Sequence, residues 1–153
     1  MVNVFSIRTK YKIMKKFLLL LLTVASFDIH ATTFHNWQIT RIIDGDTVVV
    51  SAPWLPDPLK KELAIRVYGV DTPEKGFRAK CTKEGELGIS ASRFTQKILS
   101  NGKNIQIELR GWDKYGGRVL GDVIIDGKSL RDLLITNGFA REYYGEAKQS
   151  WCN

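Results

Sequence analysis

The sequence predicts an α+β domain that is mainly β: a small five-stranded barrel, with one helix inserted between strands three and four and a short helix after strand five. Three observations lead there. Several short runs alternate apolar and polar residues and are dense in Val, Ile and Thr, as twisted strands with one buried face require. Two segments show helical spacing instead, and glycine, proline, asparagine or aspartate steps punctuate the junctions. The resulting order, β-β-β-α-β-β-α, fits a closed Greek-key barrel of the OB type.

"WQITRIIDGDTVVVSA" reads as two strands, Trp37 to Ile43 and Asp46 to Ala52, bent sharply at Asp44-Gly45. "PWLPDPLKK" carries three of the four prolines and is a loop, because proline cannot donate to a ladder. The third strand is Leu63 to Val70. In "TKEGELGISASRFTQKILSNG", Leu87, Ala91, Phe94 and Ile98 recur at helical spacing, with Thr82 as the cap and Asn101-Gly102 as the stop. "NIQIELR" alternates again, "GWDKYGG" is a glycine-flanked loop, and "RVLGDVIID" is the fifth strand, ending in an Asp126-Gly127 turn. Ser129 to Asp132 has the form of a capping box that opens a second helix, stopped at Asn137-Gly138.

Residues 1–31 read as a secretory signal peptide and 32–153 as one domain. "MKKFLLLLLTVASFDIHA" has two lysines, an apolar run too short to span a bilayer comfortably, and a small residue, Ala31, at its end. Met14 is a candidate start as well as Met1. The location implied is periplasmic or secreted, with no stable membrane anchor after cleavage. Setting 1–31 aside lowers the formal charge from +7 to +3, because that segment holds five basic residues and one acidic residue. A surplus this mild permits phosphate binding without demanding it. The two cysteines, Cys81 and Cys152, form an even pair in a chain expected to leave the cytoplasm, which favours a disulfide.

The candidate chemistry lies in four acids and two arginines. Asp44 and Asp46 flank a turn, and "IRVYGVDTPE" delivers Asp71 and Glu74 at the end of another strand. If those strands pair, Asp46 and Asp71 approach each other, and two such carboxylates repel unless a positive charge sits between them. No histidine or cysteine lies nearby, so the donors are hard oxygens that suit Ca²⁺ or Mg²⁺ and not zinc; outside a cell, calcium is the better fit. Arg66 and Arg118 could present planar forks to phosphate oxygens, and Glu74 is placed to act as a base on a nearby water. Taken singly, Asp-Gly-Asp is most often just a turn and a strand arginine most often a solvated cation. The combination points to phosphodiester chemistry.

"RIIDGDTV", "IRVYGVDTPE", "DKYGGR" and "LLITNGFAR", in this order, resemble the staphylococcal nuclease (thermonuclease) family over about Trp37 to Tyr144. Cys81 and the terminal "WC" are similar to its exported proteobacterial branch. The resemblance implies Ca²⁺ held by the Asp46 and Asp71 side chains and the Thr72 carbonyl, with Asp44 organising the water around it. It implies that Arg66 and Arg118 hold the scissile phosphate, that Glu74 serves as general base, and that Lys114, Tyr115 and Tyr144 contact the nucleotide. The implied activity is sequence-tolerant hydrolysis of DNA and RNA, single strands favoured, by a monomer that cleaves the 5′-oxygen side and leaves 3′-phosphates. The alternatives are a noncatalytic OB-type nucleic-acid-binding module and a calcium-stabilised structural domain. The family's reference member continues into a third helix; this chain has nine residues after Tyr144, and a Cys81–Cys152 bond is expected to compensate.

Overall fold

In the computed structural model, residues 34–35, 37–114 and 116–153 are described. The signal-peptide reading and Tyr115 lie outside these residues. The β-rich runs form β1 (Phe34–His35), β2 (Ile39–Ile42), β3 (Thr47–Ser51), β4 (Glu62–Val67), β5 (Val70–Asp71), β6 (Ile105–Trp112), β7 (Val119–Ile125), β8 (Lys128–Ser129) and β9 (Arg141–Glu142). The helical segments form α1 (Thr82–Asn101) and α2 (Leu130–Thr136), and a short 3₁₀ turn spans Gly76–Arg78.

The main sheet runs β1-β6-β7-β4-β3-β2, with β8 paired to β7. Its pairs are antiparallel except β4–β7, which are parallel. The expected closed barrel is not made among the described residues. The sheet order ends at β1 and β2, and the β2 edge faces the end of α1 and Ile105 across a groove of about 600 Å³. With only four residues, β2 is too short to wrap further round. The domain is mainly β with two helices.

The core forms where the alternating faces meet the helices. Val48, Val50, Ile65, Val67, Ile107, Val119, Val123 and Ile125 turn inward and pack against Leu99, Leu130 and Leu134. β7 alternates buried and half-buried residues along its whole length. Gly121 lies in it because a Cβ there would come within 2.8 Å of the Glu108 carbonyl oxygen.

Three details of the helices differ from expectation. The N-cap of α1 is Cys81, whose sulfur accepts from the Glu84 N–H at 3.4 Å, and not Thr82. Ser129 caps α2 by position but makes no side-chain bond, so no capping box forms. Gly102 does not stop α1 through a left-handed turn: its φ is −69°, and the glycine is needed because a Cβ would sit 2.5 Å from Ile125 Cγ2. Gly138 does adopt the left-handed conformation, with φ 74°.

The deepest stripe of α1 is also not the large apolar one. Glu84, Gly88, Ala91, Ser92, Thr95 and Leu99 are buried, while Leu87, Phe94 and Ile98 are half-buried. Small and polar side chains face inward there because the helix packs against loop backbone as well as side chains. Cys81 and Cys152 are bridged, their Cα atoms 6.0 Å apart and 71 residues apart in sequence. Closing a loop of that length contributes about 4 kcal/mol in the chain-entropy model.

Candidate active site

Helix α1 holds both acid-bearing loops. Thr95 Oγ1 donates to the Gly45 carbonyl at 2.6 Å, and a Cβ on Gly45 would meet Ala91 Cβ at 2.8 Å and Thr72 Cγ2 at 3.0 Å. The Asp44-Gly45-Asp46 bend is therefore pressed against both the helix and the Asp71-Thr72 segment. In the first turn of the helix, the buried Glu84 carboxylate accepts from the backbone N–H of Glu74 at 3.4 Å and of Lys80 at 2.6 Å. At Gly88, a Cβ would lie 2.4 Å from the Glu74 carbonyl oxygen. Nothing larger than hydrogen fits between helix and loop there.

The strands bring the two aspartates together as the sequence implied. β3 and β4 pair with Thr47 opposite Arg66, and Asp46 precedes that pair. The Thr72 backbone N–H donates to Asp46 Oδ2 at 3.3 Å. Arg66 lies between the carboxylates: its Nη2 is 3.0 Å from Asp46 Oδ2 and 3.8 Å from Asp71 Oδ1. The same nitrogen donates to the Val70 carbonyl at 3.3 Å. Asp44, Asp46, Arg66, Asp71 and Thr72 are all buried.

Burial pushes the Asp46 carboxyl up to about 7 from an ordinary 3.8; Arg66 pulls it down, and the neighbouring Asp44 pushes it up again. The Arg66 guanidinium thus offsets only part of the cost of burying the Asp46 carboxylate. Asp44 Oδ1 is buried without a hydrogen-bond partner, although Arg78 Nη2 binds the other oxygen at 3.2 Å. An orphaned buried oxygen beside two desolvated carboxylates suits a hard cation. Among the described residues no group of three or more His, Cys, Asp or Glu side chains is placed to hold a metal ion. The groups that could hold one are the buried Asp46 and Asp71 carboxylates and the neighbouring Thr72 carbonyl. That composition fits the flexible coordination of Ca²⁺.

Beside the acids is a cleft of about 340 Å³, into which Arg66, Glu74, Lys114, Arg118 and Tyr144 all open. A second hollow of about 220 Å³ is lined by Asp71, Thr72 and Arg78. Glu74 and Lys148 line both and form the wall between them. Arg118 immediately precedes β7 and pairs through Nε with Asp113 Oδ2 at 2.5 Å. Tyr144 lies over Gly69, where a Cβ would come within 2.9 Å of its ring, and meets Tyr68 edge-on at 5.6 Å. Its ring is half-exposed, as a stacking platform needs.

Four residues of the site were not anticipated. Arg78 bridges Asp44 and Glu74, with Nε 3.3 Å from Glu74 Oε2; its signal was the four-residue offset from Glu74. Glu84 anchors the Glu74 loop. Lys148 and Trp151 both reach Asp71, Nζ at 2.5 Å from Oδ1 and Nε1–H donating to Oδ2 at 3.1 Å. Nothing in the local sequence ties the last two to Asp71; the β5–β9 pairing and the disulfide bring them there.

The family model described as staphylococcal nuclease homologue matches residues 64–151. The chain is 35% identical over 112 residues to endonuclease YncB of Bacillus subtilis (strain 168), covering 71% of this chain and 48% of that protein. It is 33% identical over 109 residues to the SPbeta prophage-derived endonuclease YokF of the same organism, covering 69% of this chain and 33% of YokF. It is also 33% identical over 107 residues to the thermonuclease of Staphylococcus hyicus, covering 69% and 58%. The chain thus spans between a third and three fifths of the length of these relatives. Asp44 and Asp46 precede the span of the family match, whereas Arg66, Asp71, Thr72, Glu74 and Arg118 fall inside it, and on that match the chain belongs to the staphylococcal nuclease family.

Proposed function

We propose that the protein is a Ca²⁺-dependent nuclease that hydrolyses phosphodiester bonds of DNA and RNA with little sequence preference. The observation that carries this reading is the convergence of Arg66, Glu74 and Arg118 on one cleft, with Asp46, Asp71 and Thr72 beside it. The endonuclease and thermonuclease relatives support it. So does the strand order β2-β3-β4-β7-β6 with its parallel β4–β7 pair, which we read as a partly open OB-type sheet.

A phosphate in the cleft would lie between two guanidinium forks. Arg118 and Arg66 stabilise the negative charge that grows on the phosphoryl oxygens as a water attacks, a charge absent from the ground state and so a source of rate. Glu74, on the wall between the two hollows, takes the proton of that water. Tyr144 offers a flat face to a base, and Lys114 and Tyr115 hold the neighbouring nucleotide. Stacking of this kind is blind to base identity and favours single strands. Attack opposite the 5′-oxygen leaves a 3′-phosphate.

Asp46 and Asp71 through their carboxylates and Thr72 through its carbonyl would hold the calcium, with Asp44 organising water around it. When bound, the ion supplies positive charge against both the acids and the phosphate. Arg66 would then share with the ion the charge of Asp46 and Asp71 and could donate to the substrate as well.

The Cys81–Cys152 bridge supports export to the periplasm or beyond. Among the described residues no helix is long and apolar enough to cross a membrane. We expect a monomer. The test is an assay on single-stranded DNA and on RNA with millimolar calcium or with EGTA. Degradation of both substrates in calcium and of neither in EGTA is expected. Binding without cleavage in calcium would make the protein a noncatalytic binding module.

A further inference from the structure

The residues that follow β9 fold back over Asp71. Asp71 of β5 stands opposite Arg141 of β9, and the Arg141 guanidinium lies 3.8 Å above the centre of the Trp151 ring. Arg141 Nη1 also donates to the Ser150 carbonyl at 3.0 Å. Cys152, the next residue after Trp151, is bonded to Cys81 at the start of α1. The indole is therefore gripped from its ring face, from the preceding residue and from the following one. Its N–H is left aimed at Asp71 Oδ2, 3.1 Å away.

The other carboxylate oxygen is treated differently. Asp71 Oδ1 is buried and accepts no hydrogen bond; its neighbours are charges, Lys148 Nζ at 2.5 Å and Arg66 Nη2 at 3.8 Å. Lys148 is less constrained than the indole. Its side chain is 41% exposed, and it lines both the cleft and the hollow beside Asp71. One oxygen is thus fixed by a neutral donor and the other covered by a removable cation.

We propose that this carboxy-terminal strap sets the divalent-cation affinity of Asp71 from two sides: Trp151 is a positioning residue that orients the carboxylate, and Lys148 is a resident counter-charge that an incoming cation displaces. The proposal rests on the calcium reading above. A neutral indole donor fixes the carboxylate without cancelling its charge, the arrangement seen where outer partners orient metal ligands. An ammonium on the same carboxylate competes with a metal for it. Displaced from Asp71, Lys148 has the adjoining cleft to enter, where a phosphate would meet it.

The two residues share one strap and one carboxylate, yet must act with opposite sign. Calcium alone is titrated calorimetrically into the EGTA-stripped, oxidised full chain and its variants. Trp151→Phe keeps an aromatic face and loses the donor, and is expected to bind calcium about ten-fold more weakly. Lys148→Gln loses the charge and is expected to bind about five-fold more tightly. Lys80→Gln, which removes a lysine of the same hollow that makes no ion pair with Asp71, is expected to shift affinity less than Lys148→Gln. Thermal unfolding in EGTA accompanies each titration, so that a loss of folding is not read as a loss of binding. Unchanged affinities, or shifts of Trp151→Phe and Lys148→Gln in the same direction, would overturn the strap proposal and leave the calcium site standing. Absence of calcium binding by the unaltered protein would overturn the calcium reading, and the strap proposal with it.

Discussion

Glu74→Gln is expected to lower the rate of DNA hydrolysis in calcium by about 10²–10⁴-fold, the range lost with a general base. The substitution keeps the size of the side chain and removes its capacity to accept a proton. The fold is expected to hold, because the loop is fixed through backbone groups: the Glu74 N–H bonds Glu84, and the Glu74 carbonyl packs on Gly88. The side chain itself is only partly buried and faces Arg78. Arg118→Lys is the companion substitution, with an expected loss of about 10²–10³-fold, since a lysine keeps the charge and loses the fork. Arg118 separates catalysis from stability better than Arg66 does. Removing Arg66 would leave Asp46 buried with its counter-charge gone, at a cost of about 3–5 kcal/mol. Single-turnover rates and unfolding curves for Glu74→Gln and Arg118→Lys decide the matter. A Glu74→Gln protein with unaltered turnover removes that residue from the proton transfer.

Gly88→Ala is expected to destabilise the protein by about 1–3 kcal/mol, as overpacking does, and to lower activity as well. Elsewhere in an exposed helix the same change would help, because alanine gains up to about 1 kcal/mol over glycine. At Gly88 the added carbon would lie 2.4 Å from the Glu74 carbonyl oxygen and 2.8 Å from that of Pro73, both backbone atoms that cannot rotate away. Helix and catalytic loop must separate. Gly85, three residues earlier in the same helix, is the control: its Cβ would meet only Ala79 Cβ, at an ordinary 3.5 Å. Gly85→Ala is therefore expected to leave stability unchanged or raise it. Urea unfolding of both variants measures the contrast. A Gly88→Ala protein as stable as Gly85→Ala would show that α1 does not clamp the Glu74 loop.

Local pattern carried the reading of the fold a long way. Alternation marked β3, β4, β6 and β7, and helical spacing with flanking polar residues marked α1 and α2. What it missed was pairing between distant short pieces. β5 and β9 have two residues each, too few for a period, and exist because Val70-Asp71 and Arg141-Glu142 meet in space. The stripe of α1 was misjudged for a related reason. Of the predicted face Leu87, Ala91, Phe94 and Ile98, only Ala91 is fully buried, because the helix presses Gly88, Ala91 and Thr95 against the loops, where small residues fit and large ones cannot. Barrel closure failed on length, since β2 has only four residues.

The candidate site divides along the same line. Asp46, Arg66 and Asp71 could be grouped because β3 and β4 are sequence neighbours whose pairing follows from a hairpin. Lys148 and Trp151 could not, for they reach Asp71 only through β9 and the Cys81–Cys152 bridge. Arg78 was within reach: an arginine four residues after a glutamate is a familiar pairing offset. Between Glu74 and Thr82 the sequence has no helical period to support that offset, and the chain makes only a 3₁₀ turn there.

The central claim is that acids from two strand ends and two guanidinium groups serve one phosphate. A crystal structure with calcium and a short DNA strand carrying a non-hydrolysable linkage measures this directly. The expected result is calcium held by Asp46, Asp71 and the Thr72 carbonyl, with Arg66 and Arg118 both donating to the linkage phosphate. Guanidinium groups turned away from that phosphate, with the acids still paired to Arg66, would contradict it.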